Sequence, residues 1–412
     1  MLDYEIFTLP NGLRIVHKEV NYTKIAHCGF ILDIGSRDED INQQGIAHFW
    51  EHMAFKGTKK RRAFHILNRL DSVGGELNAY TTKEKICFYA SVLDTYFENA
   101  LELLYDITFE SVFPEKQIEK ERNVILEEMA MYYDAPEDAI QDDFDDLVFA
   151  GHPLGRNILG TTESIKSFER EDFKKFISDN LDTEKLIFSS VGPMPMKKVI
   201  RLAQKHFSDL PTKTASKKRI TFNNYHPRQE EAFRSLTQSQ CAIGRPAYNI
   251  KDEKRLSFFA LLNILGGPGM NSRLNLALRE KYGYVYAVEA SYTPYIDTGM
   301  FGIYFGTEPG QLNKGIKVVY KELKKLREVK LGTVQLHSAK EQLIGQLAMA
   351  EENNVSLMLM MGKSLLDLQK IEDIEDIYKK IKAINATELQ DIANEMFKED
   401  TLSILTFKPK DN

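Results

Sequence analysis

Apolar positions along the chain gather first into short runs punctuated by turn residues, and then into longer stretches with a helical repeat. Ile6 to Leu9 reads as a strand, Pro10-Asn11-Gly12 as a turn, and Leu13 to His17 as the next strand. Ile25 to Ile34 predicts a longer strand. A helix is expected from about Gly45. A second, around Phe64 to Val73, ends at Gly74-Gly75, as helix C-termini often do. Leu77 to Leu93 is strand-rich, with Cys87 to Val92 the clearest run, and long helices follow from about Tyr96 to Phe149.

The outline then repeats. Leu256 to Leu265 reads as a helix, Gly266-Gly267-Pro268-Gly269 as a turn, and Val285 to Thr307 as strands. The ends of the two halves also correspond. A helix carrying Phe173, Phe176 and Ile177 leads into a strand from Leu186 to Val191. A helix carrying Leu389, Ile392 and Ala393 leads into a strand from Thr401 to Phe407. The spacing from Phe173 to Leu186 equals that from Leu389 to Leu402, so the two units align without a gap. Such duplication predicts two homologous domains. The connection is expected at 211–220, which is polar, basic and aperiodic, leaving 1–210 and 221–412 as the domains. Runs of strands mixed with runs of helices predict an α+β class rather than a wound parallel sheet.

Composition narrows the function classes. The 412 residues suffice for two or three cores. A net charge of −6 lacks the basic footprint of a nucleic-acid binder. Cys28, Cys87 and Cys241 are far apart in apolar, strand-like surroundings, so free buried thiols are expected rather than a disulfide framework. No run of about 18 apolar residues predicts a membrane span. Met1-Leu2-Asp3-Tyr4-Glu5 has no basic-then-apolar signal, which favours a cytoplasmic location. Glu137, Asp138, Asp142, Asp143, Asp145 and Asp146 crowd one helical stretch and read as a solvated face.

His48-Phe49-Trp50-Glu51-His52 changes the picture most. At about 100° per residue, i+4 lies roughly 40° from i and i+3 about 60° the other way, so His48, Glu51 and His52 share one helical face. Neutral imidazoles suit zinc, and a catalytic zinc usually takes three protein ligands and leaves a fourth place for water. Glu51 sits where it can take a proton from that water and pass it to a leaving amine. This is the H-x-x-E-H order of the inverzincin zinc peptidases. With 9 His and 60 Asp plus Glu, chance supplies the pattern on the order of once in a hundred such chains. Ile46, Ala47, Phe49, Trp50, Met53, Ala54 and Phe55 make the helix apolar nearly all round and therefore buried. Two histidines and a glutamate inside it need partners.

A third ligand must come from elsewhere. The predicted helix from Glu115 to Met131 offers Glu119, Glu121, Glu127 and Glu128. Position i+7 returns to within about 20° of i, so Glu121 and Glu128 project together, with Glu127 about 100° away. By residue type alone the whole set reads as a solvated acidic face, and Glu119 and Glu127 keep that reading.

Here the chain resembles a known family. His48 to Thr58 is similar, almost residue for residue, to the metal segment of the pitrilysin, insulinase and mitochondrial processing peptidase family of zinc metallopeptidases. Glu121-Arg122-Asn123-Val124-Ile125-Leu126-Glu127-Glu128 resembles its distal segment. The resemblance implies that Glu128 is the third ligand and Glu121 an auxiliary acid that orients His52 or the water. It implies one zinc ion per chain, because the second half contains no H-x-x-E-H. Leu77 to Thr82 looks like the family's edge strand, so Asn78, Ala79, Tyr80 and Thr81 are expected to bind an extended peptide substrate by main-chain pairing. Leu278 to Tyr286 resembles the segment with a paired Arg and Tyr. Arg279 and Tyr286 are thereby expected to hold the substrate and the developing oxyanion, with Tyr282 and Tyr284 as weaker competitors. Gly266 to Leu274 matches the glycine-rich stretch before that pair, with Pro268 as a departure; no G-K-[ST] follows, so it is not a phosphate loop. His152 to Gly160 is also family-like, with His152 a loop histidine rather than a ligand.

The implied fold is a processing-peptidase-like bowl of two domains, each an antiparallel-rich mixed sheet packed against helices. The family closes four such domains around a chamber. Two domains here imply a homodimeric clamshell, or a heterodimer, in which Arg279 and Tyr286 act on the partner's zinc. The implied function is a zinc metalloendopeptidase that cuts unfolded or presequence-like peptides inside the chamber. The alternative is a non-catalytic assembly subunit of the same fold. Such subunits have degraded metal motifs, whereas His48, Glu51, His52 and Glu128 all stand here.

Overall fold

The computed structural model describes residues 4–216 and 218–410. Residues 1–3, 217 and 411–412 lie outside the described residues, and with them the start of the N-terminal stretch read above and one position of the polar connection. In chain order the strands are β1 (Glu5–Thr8), β2 (Arg14–Glu19), β3 (Ile25–Leu32), β4 (Glu76–Thr81), β5 (Ile86–Leu93), β6 (Leu186–Gly192), β7 (Gln229–Arg234), β8 (Ser239–Ala247), β9 (Val285–Pro294), β10 (Gly299–Thr307) and β11 (Ser403–Pro409). The α-helices are α1 (Ile46–Ala54), α2 (Ala63–Asp71), α3 (Phe97–Phe109), α4 (Glu115–Tyr133), α5 (Pro136–Val148), α6 (Thr162–Ser167), α7 (Arg170–Asn180), α8 (Met196–Phe207), α9 (Arg255–Gly266), α10 (Leu312–Glu328), α11 (Thr333–Glu351), α12 (Asn354–Leu368), α13 (Ile374–Ala383) and α14 (Ala386–Met396). Asn275–Lys281 is π-helical. Among the described residues no helix is long and apolar enough to cross a membrane.

The chain forms two compact units, Met1–Met129 with Arg156–Ile220 and Met349–Glu372, and Ala130–Gly155 with Thr221–Ala348 and Asp373–Asn412. In the first, the strand order is β1-β2-β6-β3-β5-β4, with β2 and β6 parallel and every other neighbour antiparallel. Both faces are covered, so alternate residues feed two cores. Cys28, Phe30, Phe88 and Phe188 join α1, α3 and α8 on one side. Val16, Ile31, Cys87 and Ile187 meet Met358, Met361 and Leu365 of α12 on the other. This two-sided burial is why the strands read as nearly continuous apolar runs. At Gly362 a Cβ would stand 2.5 Å from Ile31 Cδ1, so glycine sets how closely α12 approaches the sheet.

The second unit repeats the plan. Its order is β7-β11-β8-β10-β9, with β7 and β11 parallel and the rest antiparallel. Strand for strand this is β2-β6-β3-β5-β4 again, and β11 takes the place of β6. One face packs on α9, α10 and α14, and the other on Ile140, Phe144 and Leu147 of α5. The outer layers depart from the boundaries expected at 1–210 and 221–412. Helix α5 belongs to the second unit and α12 to the first. Amphipathic spacing shows that such a helix buries a face, but not against which sheet. Residues 211–220 group with the first unit, where Arg219 pairs with Asp33 at 2.7 Å and Asp38 at 2.8 Å. Cys28, Cys87 and Cys241 are free and buried. On α5, Glu137, Asp138, Asp143 and Asp146 are exposed, Asp142 and Asp145 half-buried.

Candidate metal centre

Helix α1 is fixed from its apolar side. Trp50 is fully buried, its ring 6.0 Å from Phe88 and 6.3 Å from Phe176, and Phe49 lies edge-on to Phe173 at 5.1 Å. Its N-terminus is fixed as well. The Glu39 carboxylate accepts the N–H groups of Gly45 and Ala47, both at 2.9 Å, and so satisfies donors that a helix start leaves open. Arg156 donates to the Glu39 carbonyl at 2.8 Å. Gly45 has φ 90°, and a Cβ there would stand 2.6 Å from the Leu159 carbonyl, so the turn requires glycine. With one side and one end held, the remaining face presents His48, Glu51 and His52.

Helix α4 supplies the acids. Glu128 Oε1 lies 3.8 Å from His48 Nε2, and its Oε2 3.6 Å from His52 Nε2. One ligand atom from each of the three residues fits within 4.8 Å of the others. Zinc at about 2.0–2.2 Å from nitrogen and oxygen ligands would bring such atoms to roughly 3.3 Å, so modest closure of this triangle suffices. Two imidazoles and a carboxylate are also a familiar catalytic zinc set. Among the described residues this is the one cluster of three His, Cys, Asp or Glu side chains suited to a metal.

Glu121, seven residues before Glu128, does a different job. His52 Nδ1 lies 3.2 Å from Glu121 Oε2, and a carboxylate only accepts, so Nδ1 carries a hydrogen and Nε2, which faces Glu128, is the nitrogen that can ligate in the neutral ring. Lys56 holds the other Glu121 oxygen at 2.6 Å. Burial opposes the charge on Glu121, but hydrogen bonds from His52 and Lys56 outweigh it and keep the carboxyl below its usual range. Burial, then His52, pushes His48 down to about 3, so the imidazole is neutral and able to ligate. Its Nδ1 is buried without a hydrogen-bond partner. Burial raises the Glu51 carboxyl, while the Thr81 hydroxyl, donating to Oε2 at 2.6 Å, and His52 pull it back. Glu119 and Glu127 are exposed.

The other candidates separate into two groups. Asn78, Ala79, Tyr80 and Thr81 lie on β4, the edge of the first sheet. Asn78 is exposed, and the Tyr80 ring meets Lys363 at 4.9 Å and Tyr89 at 6.1 Å. Of the four, Thr81 reaches α1, where its hydroxyl donates to Glu51 Oε2 at 2.6 Å. Arg279 and Tyr286 belong to the second unit. The guanidinium stands 5.4 Å from the Tyr286 ring, which is 84% exposed, while Tyr282 and Tyr284 stack on each other at 5.2 Å. His152 accepts from the Leu154 N–H and takes no part in the cluster. Sequence reading missed three partners: Lys56, Glu39, and the Thr81 side chain in its contact with Glu51. Lys56 follows His52 by four residues, which hinted at a shared face; Glu39 gave no local signal.

Residues 14–162 match the family described as insulinase, peptidase family M16, and residues 167–343 the peptidase M16 inactive domain. A Bacillus subtilis protein described as the uncharacterized zinc protease YmxG is 32% identical over 394 residues, 96% of each chain. A Rickettsia bellii protein described as an uncharacterized zinc protease is 34% identical over 401 residues, 97% of each. The crystal structure of a protease from Helicobacter pylori shares the fold with a TM-score of 0.91 at 24% identity, over 98% of this chain and 99% of that one. A peptidase M16 inactive domain from Pseudomonas fluorescens does so with 0.92 at 18%, over 100% and 99%. With both of its halves matched and relatives aligned almost end to end, the chain belongs to the pitrilysin and insulinase family, M16, of zinc metallopeptidases.

Proposed function

We propose that the chain is a zinc-dependent endopeptidase that hydrolyses peptide bonds in unfolded peptides. The observation that carries this reading is the His48, His52 and Glu128 triangle with the Glu51 carboxylate on the same helical face. One zinc ion per chain would be held there, and when bound it supplies Lewis-acid polarisation of the scissile carbonyl and acidifies the attacking water. Glu51 takes that water's proton and delivers it to the leaving amine. Its raised affinity for a proton suits this two-way task. Glu121 keeps His52 in the tautomer that ligates. The open edge of β4 supports binding of an extended peptide by main-chain pairing at Asn78 to Thr81. Arg279 and Tyr286, on this reading, hold the substrate backbone and stabilise the oxyanion. Two chains form the working chamber, which limits substrates to those able to enter it.

A quenched-peptide assay tests the proposal. Cleavage should vanish when a chelator strips the metal and return when zinc is restored. Glu51→Gln should keep its zinc and lose about 10²–10⁴-fold in kcat, the usual contribution of a positioned base. Persistent cleavage by metal-free protein would refute the mechanism.

A further inference from the structure

The base Glu51 has a partner that the expected chemistry does not use. Thr81 Oγ1 donates to Glu51 Oε2 at 2.6 Å. The hydroxyl donates and the ionised carboxylate, the form that acts as base, accepts. Position 81 is also an exception in its strand. Leu77 and Ala79 of β4 pack on the first core. Alternation places position 81 on the same side, where the pattern calls for another apolar residue. A hydroxyl stands there instead. The neighbouring Thr82 cannot serve, since its hydroxyl donates to the Lys85 carbonyl at 3.1 Å within the turn between β4 and β5. Thr81 is rigidly carried: β4 pairs with β5 along its whole length, from Glu76 opposite Ser91 to Thr81 opposite Ile86. A β-branched side chain adds a restricted χ1.

We propose that Thr81 is a positioning residue for Glu51, fixing the carboxylate through Oε2 so that Oε1 is presented to the attacking water. This rests on the peptidase reading above. It differs from the role expected of the strand, in which Thr81 contributes main chain to substrate pairing. Here the side chain acts, and it acts on the base rather than on the peptide.

The two roles separate in kinetics. Thr81→Val removes the donor and keeps the shape and the β-branch, while Thr81→Ser keeps the donor. Each variant is assayed for kcat and KM on a quenched peptide, for zinc content, and for affinity towards the same peptide by fluorescence anisotropy. Thr81→Val should lose about 10–100-fold in kcat, with KM, peptide affinity and zinc content unchanged, because the base is misdirected and not removed. Thr81→Ser should recover most of the loss. The proposal is overturned if Thr81→Val keeps kcat within about twofold of the wild type. It is equally overturned if the defect is a raised KM, if zinc is lost, or if the serine variant is as impaired as the valine variant. A wild-type chain that cleaves without zinc, or not at all, instead removes the peptidase reading and this proposal with it.

Discussion

Glu121 and Glu128 project from the same side of α4, yet the structure gives them different partners. Lys56 and His52 Nδ1 occupy the two oxygens of Glu121, whereas both oxygens of Glu128 face imidazole Nε2 atoms. A ligand histidine whose other nitrogen is fixed binds metal better, and loss of such a support typically costs about 10–100-fold in affinity. Glu121→Ala should therefore weaken zinc binding by about that factor. Lys56→Met should shift it in the same direction by less. Competition against a chromophoric chelator measures both, and unchanged affinity in Glu121→Ala would sink the supporting role. The sequence went a definite distance here. Helical spacing alone groups His48 with Glu51 and His52, because an angle per residue is all the grouping needs. The same arithmetic leaves Glu121 and Glu128 equivalent, since seven residues bring the helix back almost to its starting angle. Only side chains from a different helix distinguish them, and no spacing within α4 records those. Thr81 was legible as part of a strand but not as a partner of Glu51, which is thirty positions away in sequence.

At the scale of elements, one buried histidine ties three segments together. His17 of β2 receives the Ser190 hydroxyl of β6 at Nδ1, 2.8 Å away, and donates from Nε2 to the Met194 carbonyl ahead of α8 at 2.6 Å. Burial lowers its proton affinity from the ordinary value of 6.5, against the opposing pull of the Met194 carbonyl. The unfolded chain therefore binds more protons than the folded one once the pH drops below 6.5. Stability from His17 is complete above that pH and is lost as the pH falls towards the folded value. The contribution of His17, read as the difference between wild-type and His17→Gln melts, should be flat above about pH 7 and shrink below about 6.5. His17→Gln should lower the melting temperature throughout and flatten part of the decline towards acid. His27 and His48, both shifted down by burial, keep the remainder. An unchanged slope in His17→Gln would remove His17 from the account. Of the inner strands, β8 was marked only by the strand-like surroundings of Cys241, whereas β3, β5, β6, β10 and β11 were legible because two covered faces make continuous apolar runs. Strand β7 was not: Gln229-Glu230-Glu231-Ala232-Phe233-Arg234 is an edge strand, mostly exposed, and β11 is its one strand neighbour among the described residues. Its backbone, not its pattern, makes it a strand. Helix α5 was legible within the long helices from Tyr96 to Phe149, but the sheet it covers was not, and α12 went unread.

For the whole molecule, the informative residues are Arg279 and Tyr286. They sit in the unit that has no metal cluster among its described residues, on a π-helical segment and the strand that follows. An exposed tyrosine beneath a guanidinium has apolar area and charge available for a ligand, and burial does not explain either residue. If two chains build one chamber and this pair serves the zinc of the opposite chain, activity should survive in a dimer that carries one defect of each kind. A Glu51→Gln chain lacks the base but offers an intact Arg279. An Arg279→Ala chain has the base and lacks the guanidinium. Each homodimer should be nearly inactive. In the mixed dimer, the base of the second chain meets the arginine of the first, and one of the two sites is complete. With random exchange about half the dimers are mixed, so recovery should approach about a quarter of wild-type turnover. The opposite outcome is just as definite: if native mass spectrometry shows mixed dimers and cleavage stays at the level of the homodimers, Arg279 either serves the zinc of its own chain or has no part in the reaction. Repeating the exchange with Tyr286→Phe in place of Arg279→Ala then tells whether the two residues act as one unit, because a shared substrate clamp requires both to give the same answer.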